Sequence, residues 1–378
     1  MPVNMAVESS PCGRRSPGPH AVAAVDGRGG RPIRREIRRL LVDLCIAALA
    51  GVLTAAPAGR AAETRADATG AEGSATAPPA AERAGDAAEA EWLAALRHSA
   101  DALQWSDEAV RHDWRLQHRP GSAACRILDP NDAVVREGSR EECAAAFAAL
   151  ERSGAVPAVR GPVVIVLHGL GEGRRSMRPL VDYLRRNLDA TVLSFGYAST
   201  SAGIEDHGRA LAAVVAGLPA ADGVSFVGHS LGNIVVRRWM GLAQGDDLAR
   251  VRRMVMLGPP NQGSELARTV AKIGPLASFS NGAARELVLD WQRVSRDLAV
   301  PPCPFGIVAG GKGDDRGYSL LLAGDDDAVV RVDETRLPGA GDFLILPVHH
   351  AAMMRHAGVQ RATAAFLETG RFDAAAAP

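Results

Sequence analysis

What the chain lacks narrows its function first. It carries no net charge, with 43 Lys and Arg against 43 Asp and Glu, so no basic field marks nucleic acid as a partner. Its arginines are scattered rather than interleaved with aromatic residues. Five cysteines (Cys12, Cys45, Cys125, Cys143 and Cys303) form no C-x-x-C pair and no Cys/His spacing suited to zinc, which argues against a structural metal. No metal or cofactor is expected. Residues 59–90 hold no bulky apolar side chain; such a segment cannot offset its chain entropy and reads as a disordered linker.

Ahead of the linker, residues 1–30 are rich in Gly, Pro and Arg without apolar periodicity, as in an overlong leader or a start assigned too early. An arginine cluster at 31–39 then meets an apolar run at 40–56, broken only by Asp43, and Ala56-Pro57-Ala58 supplies small residues at minus three and minus one. This is the pattern of a secretory signal, so export is expected. Retained as an anchor it would associate the protein with a membrane, but the uncharged run 44–58 falls short of the roughly 20 residues a spanning helix needs. Arg38-Arg39-Leu40-Leu41 hints at a twin-arginine signal, weakly in so arginine-rich a stretch. No cysteine stands where a lipid-modified residue would follow.

Order is expected to resume at Trp92. Trp92, Leu96 and Leu103 suggest a short helix; residues 114–117, 125–128 and 133–136 read as strands between turn signals. Ser139 with Glu142 three residues on signals a capping box opening a helix to about Glu151. Residues 91–155 thus form a small α+β accessory module, fitted equally by a substrate-binding and a structural role. Cys125 and Cys143 within it suit a disulfide in an exported protein, or two buried thiols; both readings stand.

From 156 to 378 helix and strand alternate, which predicts a mostly parallel sheet with helices on both faces. The stretch VSFVGHSLGNIVVRRWM (224–240) organises this domain. A buried strand runs into Gly228-His229-Ser230-Leu231-Gly232, a G-x-S-x-G turn, and Leu231, Ile234, Val235 and Trp239 continue at helical spacing. Roughly 0.2 such five-residue matches arise by chance in a chain of this composition, so the strand before and the helix behind decide the reading. A serine forced into that corner needs glycines two residues away, and the helix dipole points at the place where an oxyanion would form. Ser230 is the candidate nucleophile.

The opening strand ends in HGLG at His168, where the backbone N–H of Leu170, with that of Leu231, suits an oxyanion hole. A carboxylate is available at Asp325-Asp326-Asp327, which otherwise reads as a solvated turn or a calcium loop. Asp327 leads directly into an apolar pair and is preferred. The base must come later, from His349 or His350 at the end of a strand expected over 343–348; side-chain alternation sends one into the site and the other away, and does not say which. His356 reads as two turns into a closing helix over 351–367.

HGLG, GHSLG, LGPPNQGSELA at 257–267, DDDAVVRVDET at 325–335 and PVHHAAMM at 347–354 together resemble the α/β-hydrolase superfamily, in its bacterial lipase and esterase branch. The resemblance covers about 161–371 and implies an α/β-hydrolase fold with a triad of Ser230, Asp327 and His350, with His349 at a variable position. It implies a small-molecule or lipid ester as substrate. Two departures matter. Ala328 replaces the usual glycine of D-G-x-V, and Ala352 stands where calcium-dependent relatives have an aspartate, so no calcium site of that kind is expected. Residues 264–300 suit a cap over the site, or ordinary core. An acyltransferase or amidase would use the same triad. A non-catalytic lipid- or partner-binding protein should have lost one of its members. A surface-tethered interaction protein would rely on residues 1–160 and would not depend on Ser230.

Overall fold

The computed structural model describes residues 103–243, 245–273 and 282–372. The leader-like stretch, the linker, Cys12, Cys45 and the helix expected around Trp92 and Leu96 lie outside the described residues. Among those described, no helix is long and apolar enough to cross a membrane.

Four antiparallel strands come first: β1 (Ser106–Arg111), β2 (Trp114–His118), β3 (Cys125–Leu128) and β4 (Val134–Gly138), paired in chain order. Helix α1 (Arg140–Arg152) crosses them. It opens on the capping box expected from sequence: the Ser139 hydroxyl accepts from the Glu142 amide at 3.2 Å and the Glu142 carboxylate from the Ser139 amide at 2.9 Å, satisfying two donors that a helix start otherwise leaves open. Leu116, Ile127 and Phe147 form a small core with Cys125 and Cys143. Both cysteines are free thiols here, and burial pushes the Cys125 thiol up to about 12.

The larger sheet holds β5 (Gly161–Leu167), β6 (Thr191–Phe195), β7 (Ala221–His229), β8 (Val251–Leu257), β9 (Phe305–Gly310) and β10 (Asp342–Leu346). Its order is β10-β9-β8-β7-β5-β6 and every neighbouring pair is parallel. Parallel strands need crossovers, and alternation sends side chains to two buried faces. Val163, Ile165 and Leu167 meet α3 (Ile204–Ala216) and α4 (Leu231–Leu242) on one face. Val164 and Val166 meet α2 (Arg178–Asn187) and α8 (Ala357–Thr369) on the other. This is the α/β-hydrolase fold. Between β8 and β9 lie α5 (Glu265–Ile273), α6 (Ala283–Val288) and α7 (Trp291–Arg296). Of the segment read as a cap, Ala283, Leu287, Val294 and Leu298 belong to the same core as α3 and α4.

The chain leaves β5 to build β6 on one side and then crosses to build β7 on the other. That reversal opens a crevice beyond the carboxyl ends of β5 and β7, where ligands bind in such sheets. β1 reaches the same end of the sheet: the Asp107 amide donates to the Gly196 carbonyl at 2.9 Å and the Ala198 amide to the Ser106 hydroxyl at 3.1 Å.

Candidate active site

Ser230 sits where β7 ends and α4 begins, with φ 50° and ψ −119°. A non-glycine residue in that region is strained, and the packing shows why the corner is so sharp. A Cβ on Gly228 would lie 2.4 Å from Asn233 Oδ1, and one on Gly232 would lie 2.8 Å from the carbonyls of Leu167 and His168. Only glycines let the turn close against α4 and β5. Asn233 ties the turn down, its side-chain amide donating to the carbonyls of Ser230 at 3.1 Å and Leu257 at 3.2 Å.

The three consecutive aspartates have different work. Asp325 accepts from the amides of Lys312 and Gly313 at 2.7 and 2.9 Å. Asp326, fully buried, accepts from Ser319, Tyr318 and Ala328, and burial raises its carboxyl in spite of those bonds. Both therefore brace the loop around 311–319. Asp327 alone faces a histidine: its Oδ2 lies 2.6 Å from His350 Nδ1, while its Oδ1 accepts from Val329 and Val330 at 3.0 and 2.7 Å. The His350 amide also donates to the Asp327 carbonyl at 2.8 Å. A Cβ on Gly258, at the end of β8, would lie 3.0 Å from His350 Nδ1 and 3.1 Å from Asp327 Oδ2, and its φ of 51° is one that glycine adopts without strain, so glycine suits the point where β8 passes the pair.

Burial by itself would lower the His350 imidazole. The charge and hydrogen bond of Asp327, with the Glu172 carboxylate behind, raise it above the ordinary histidine value. His349 points elsewhere, exposed and with its ring 3.9 Å from that of Tyr318. The chain here departs from the strand and helix expected. β10 stops at Leu346, and residues His350–Arg355 wind as a 3-10 turn. His356 then caps α8, accepting from the Val359 amide at 3.4 Å, rather than lying two turns inside a helix.

Leu170 and Leu231 flank the serine, the one in the loop after β5 and the other opening α4. A Cβ on Gly169 would lie 3.3 Å from Ser230 Cβ. The loop is held from behind. His168 is buried, stacks on Tyr197 with centroids 4.1 Å apart and accepts from the Tyr197 amide at Nε2; its Nδ1 therefore carries the proton, 2.9 Å from the Gly169 carbonyl. The Tyr197 hydroxyl donates to the His168 carbonyl at 2.5 Å. Among the described residues, no group of three or more His, Cys, Asp or Glu is placed to hold a metal ion.

Ala328 has φ 84°. A left-handed conformation costs an L-residue roughly 1–2 kcal/mol, and glycine avoids the cost. Ala328→Gly is expected to stabilise the protein by about 1 kcal/mol in chemical denaturation, with kinetics unchanged; a loss of stability would mean that the methyl group packs better than the backbone suffers.

No protein-family model matches the chain, and no curated protein matches it. Solved structures do. The mature form of a Bacillus licheniformis lipase, BlEst2, is 21% identical over 57% of this chain and 94% of its own, with a TM-score of 0.44. Phospholipase PlaB from Legionella pneumophila is 22% identical, covering 56% of this chain and 57% of its own at a TM-score of 0.41. A metagenomic carboxyl esterase, MGS0156, is 20% identical over 52% and 67% at 0.36.

Two side chains at the site were not singled out in the sequence reading. Glu172 and His229 lie inside HGLGEG and GHSLG, but the contact between them joins two loops, and His229 meets the His350 carbonyl from a third. The one local sign is a carboxylate three residues after Gly169, the reach at which an acidic side chain bonds back to a turn amide.

Proposed function

We propose that the protein is a serine hydrolase that cleaves carboxylic esters through an acyl-enzyme on Ser230. The observation that carries this reading is the buried Asp327–His350 pair, 2.6 Å apart, set against Gly258 at the end of β8, where the amide of the strained Ser230 donates to the neighbouring Leu257 carbonyl at 3.0 Å. In the first half-reaction His350 takes the Ser230 proton as Oγ attacks the carbonyl carbon. Asp327 fixes the imidazole tautomer and offsets the charge that forms. The amides of Leu170 and Leu231 hold the tetrahedral oxyanion, each such donor being worth roughly 3 kcal/mol in the transition state. Collapse breaks the C–O bond and His350 returns the proton to the departing alcohol. Water then repeats the sequence on the acyl-enzyme. Leu170, partly exposed at the site, offers an apolar surface to the acyl portion of a lipid or small-molecule ester. The leader-like segment at 1–58 would accompany an exported enzyme.

The test is hydrolysis of p-nitrophenyl esters of short and long acyl chains by the full-length protein across pH. Turnover should rise as His350 loses its proton, with an acid limb above the ordinary histidine value of 6.5 because the folded-state imidazole is raised. The preferred chain length separates esterase from lipase. Hydrolysis that persists undiminished in Ser230→Ala would overturn the reading.

A further inference from the structure

We propose that Glu172 is a positioning residue of this site: its carboxylate joins the loop presenting Gly169 and Leu170 to the turn that carries Ser230 and, through His229, to the backbone of His350. This inference rests on the ester-hydrolase reading given above for the role of those groups, and its geometry stands independently.

One oxygen, Glu172 Oε2, gathers three contacts. It accepts from the Gly169 amide at 3.2 Å and from the Ser176 hydroxyl at 2.8 Å, and it lies 3.5 Å from His229 Nδ1. The first contact fixes the turn whose next amide belongs to Leu170. The second ties that turn to the 3-10 segment Arg174–Met177, whose Met177 is fully buried in the core under α2. The third reaches the residue immediately before Ser230. His229 is itself buried, and its ring stands 4.6 Å from that of His350 with Nε2 3.2 Å from the His350 carbonyl. Both groups nearest the nitrogens of the His229 ring are therefore oxygens, the Glu172 carboxylate on one side and the His350 carbonyl on the other.

A point beside Gly169 where a Cβ would stand lies 3.1 Å from His229 Nδ1, 3.3 Å from Ser230 Cβ and 3.5 Å from Glu172 Cδ. The oxyanion loop, the elbow and the glutamate thus meet closely enough that a methyl group at Gly169 would crowd all three. A charge held so close to the oxyanion position would oppose catalysis if it were free to turn toward it. Two donors, the Gly169 amide and the Ser176 hydroxyl, hold it instead at the rear of the loop, with the His229 ring packed 3.5 Å away. The His229 ring and the Ser176 hydroxyl keep the carboxyl well below the ordinary glutamate range, against the opposing effect of burial.

Two substitutions separate reach from charge. Glu172→Asp keeps the charge and withdraws it by one methylene, so it should loosen the Gly169 turn. Glu172→Gln keeps the reach and removes the charge. The titratable groups facing His350 are Asp327, His229 and Glu172, and of the carboxylates Glu172 is the one not bonded to it. Removing its charge should move the His350 titration to lower pH.

The experiment follows the His350 Cε1 proton by NMR against pH in full-length wild type, Glu172→Gln and Glu172→Asp, beside kcat and KM for the p-nitrophenyl ester that wild type cleaves best. The expected result is a lower His350 midpoint in Glu172→Gln and a nearly unchanged one in Glu172→Asp, with kcat down roughly tenfold or more in both and KM within about threefold. An unchanged midpoint and a kcat within twofold of wild type in Glu172→Gln would overturn the proposal. The NMR titration needs no substrate, so it decides the coupling even if wild type cleaves no ester, an outcome that would instead count against the hydrolase reading.

Discussion

His350→Ala is expected to lower kcat for ester hydrolysis by about 10⁴-fold or more, while His349→Ala stays within about threefold of wild type. The two residues are adjacent, so the contrast tests geometry rather than composition. His350 is buried against Asp327, with its amide on the same residue's carbonyl. His349 is exposed and contacts Tyr318. Asp327→Asn should cost a comparable factor with little change in fold, because an amide facing Nδ1 favours the wrong tautomer and cannot offset the imidazolium. Steady-state kinetics on each variant, with a melting curve to show that it is folded, reads the result. Equal loss from His349→Ala and His350→Ala would mean that the turn, and not the imidazole, had been damaged.

Arg115→Ala is expected to cost about 3–5 kcal/mol of stability, a large share of the 5–15 kcal/mol typical of a folded domain. Arg115 and Asp107 are buried essentially completely between the accessory sheet and β6. The guanidinium donates to Asp107 Oδ2 at 2.6 Å, to the Ser194 carbonyl at 2.8 Å and to the Ser194 hydroxyl at 3.0 Å. Asp107 in turn accepts from the Gly196 amide at 2.7 Å and from Gln117 at 2.7 Å. Truncating the arginine leaves a charged carboxylate without its cation, and that is where the cost lies. The double variant Arg115→Met with Asp107→Leu should recover much of the loss, since the pair is then replaced by apolar volume.

Activity should fall with stability in Arg115→Ala. Gly196 and Ala198, which bond to β1, flank Tyr197, whose hydroxyl supports the His168 carbonyl; Ser199 accepts from the Gly171 amide at 3.2 Å and donates to the Glu172 carbonyl at 3.3 Å. Denaturant unfolding of the full-length chain, paired with the kinetics, measures both effects. A variant as stable and as active as wild type would show that the accessory sheet is dispensable.

The parts legible in the sequence were those written locally. The runs at β5 and β7 announce themselves because both faces are buried and glycines end them. The capping box of α1 needs only Ser139 and Glu142. Asp327 could be preferred because an apolar pair follows it. What escaped was set by long-range contact. β1 reads as SDEAVR, too polar for a buried strand, because Ser106 and Asp107 find their partners 89 to 92 residues away. The choice between His349 and His350 could not follow from strand alternation, since β10 ends at Leu346. It is set by the phase of a 3-10 turn whose Met353 and Met354 are buried in the core beneath. Glu172 is a similar case: two of its three contacts are local, and the third, to His229, exists only once β5 and β7 pair.

The most direct test of the central claim is covalent. The full-length protein is incubated with a fluorophosphonate probe, digested, and the site of attachment read by mass spectrometry, with Ser230→Ala and His350→Ala alongside. Stoichiometric labelling is expected on Ser230, with none in Ser230→Ala and much slower labelling in His350→Ala. A folded wild-type protein that takes up no probe, or takes it up on another residue, would contradict the claim.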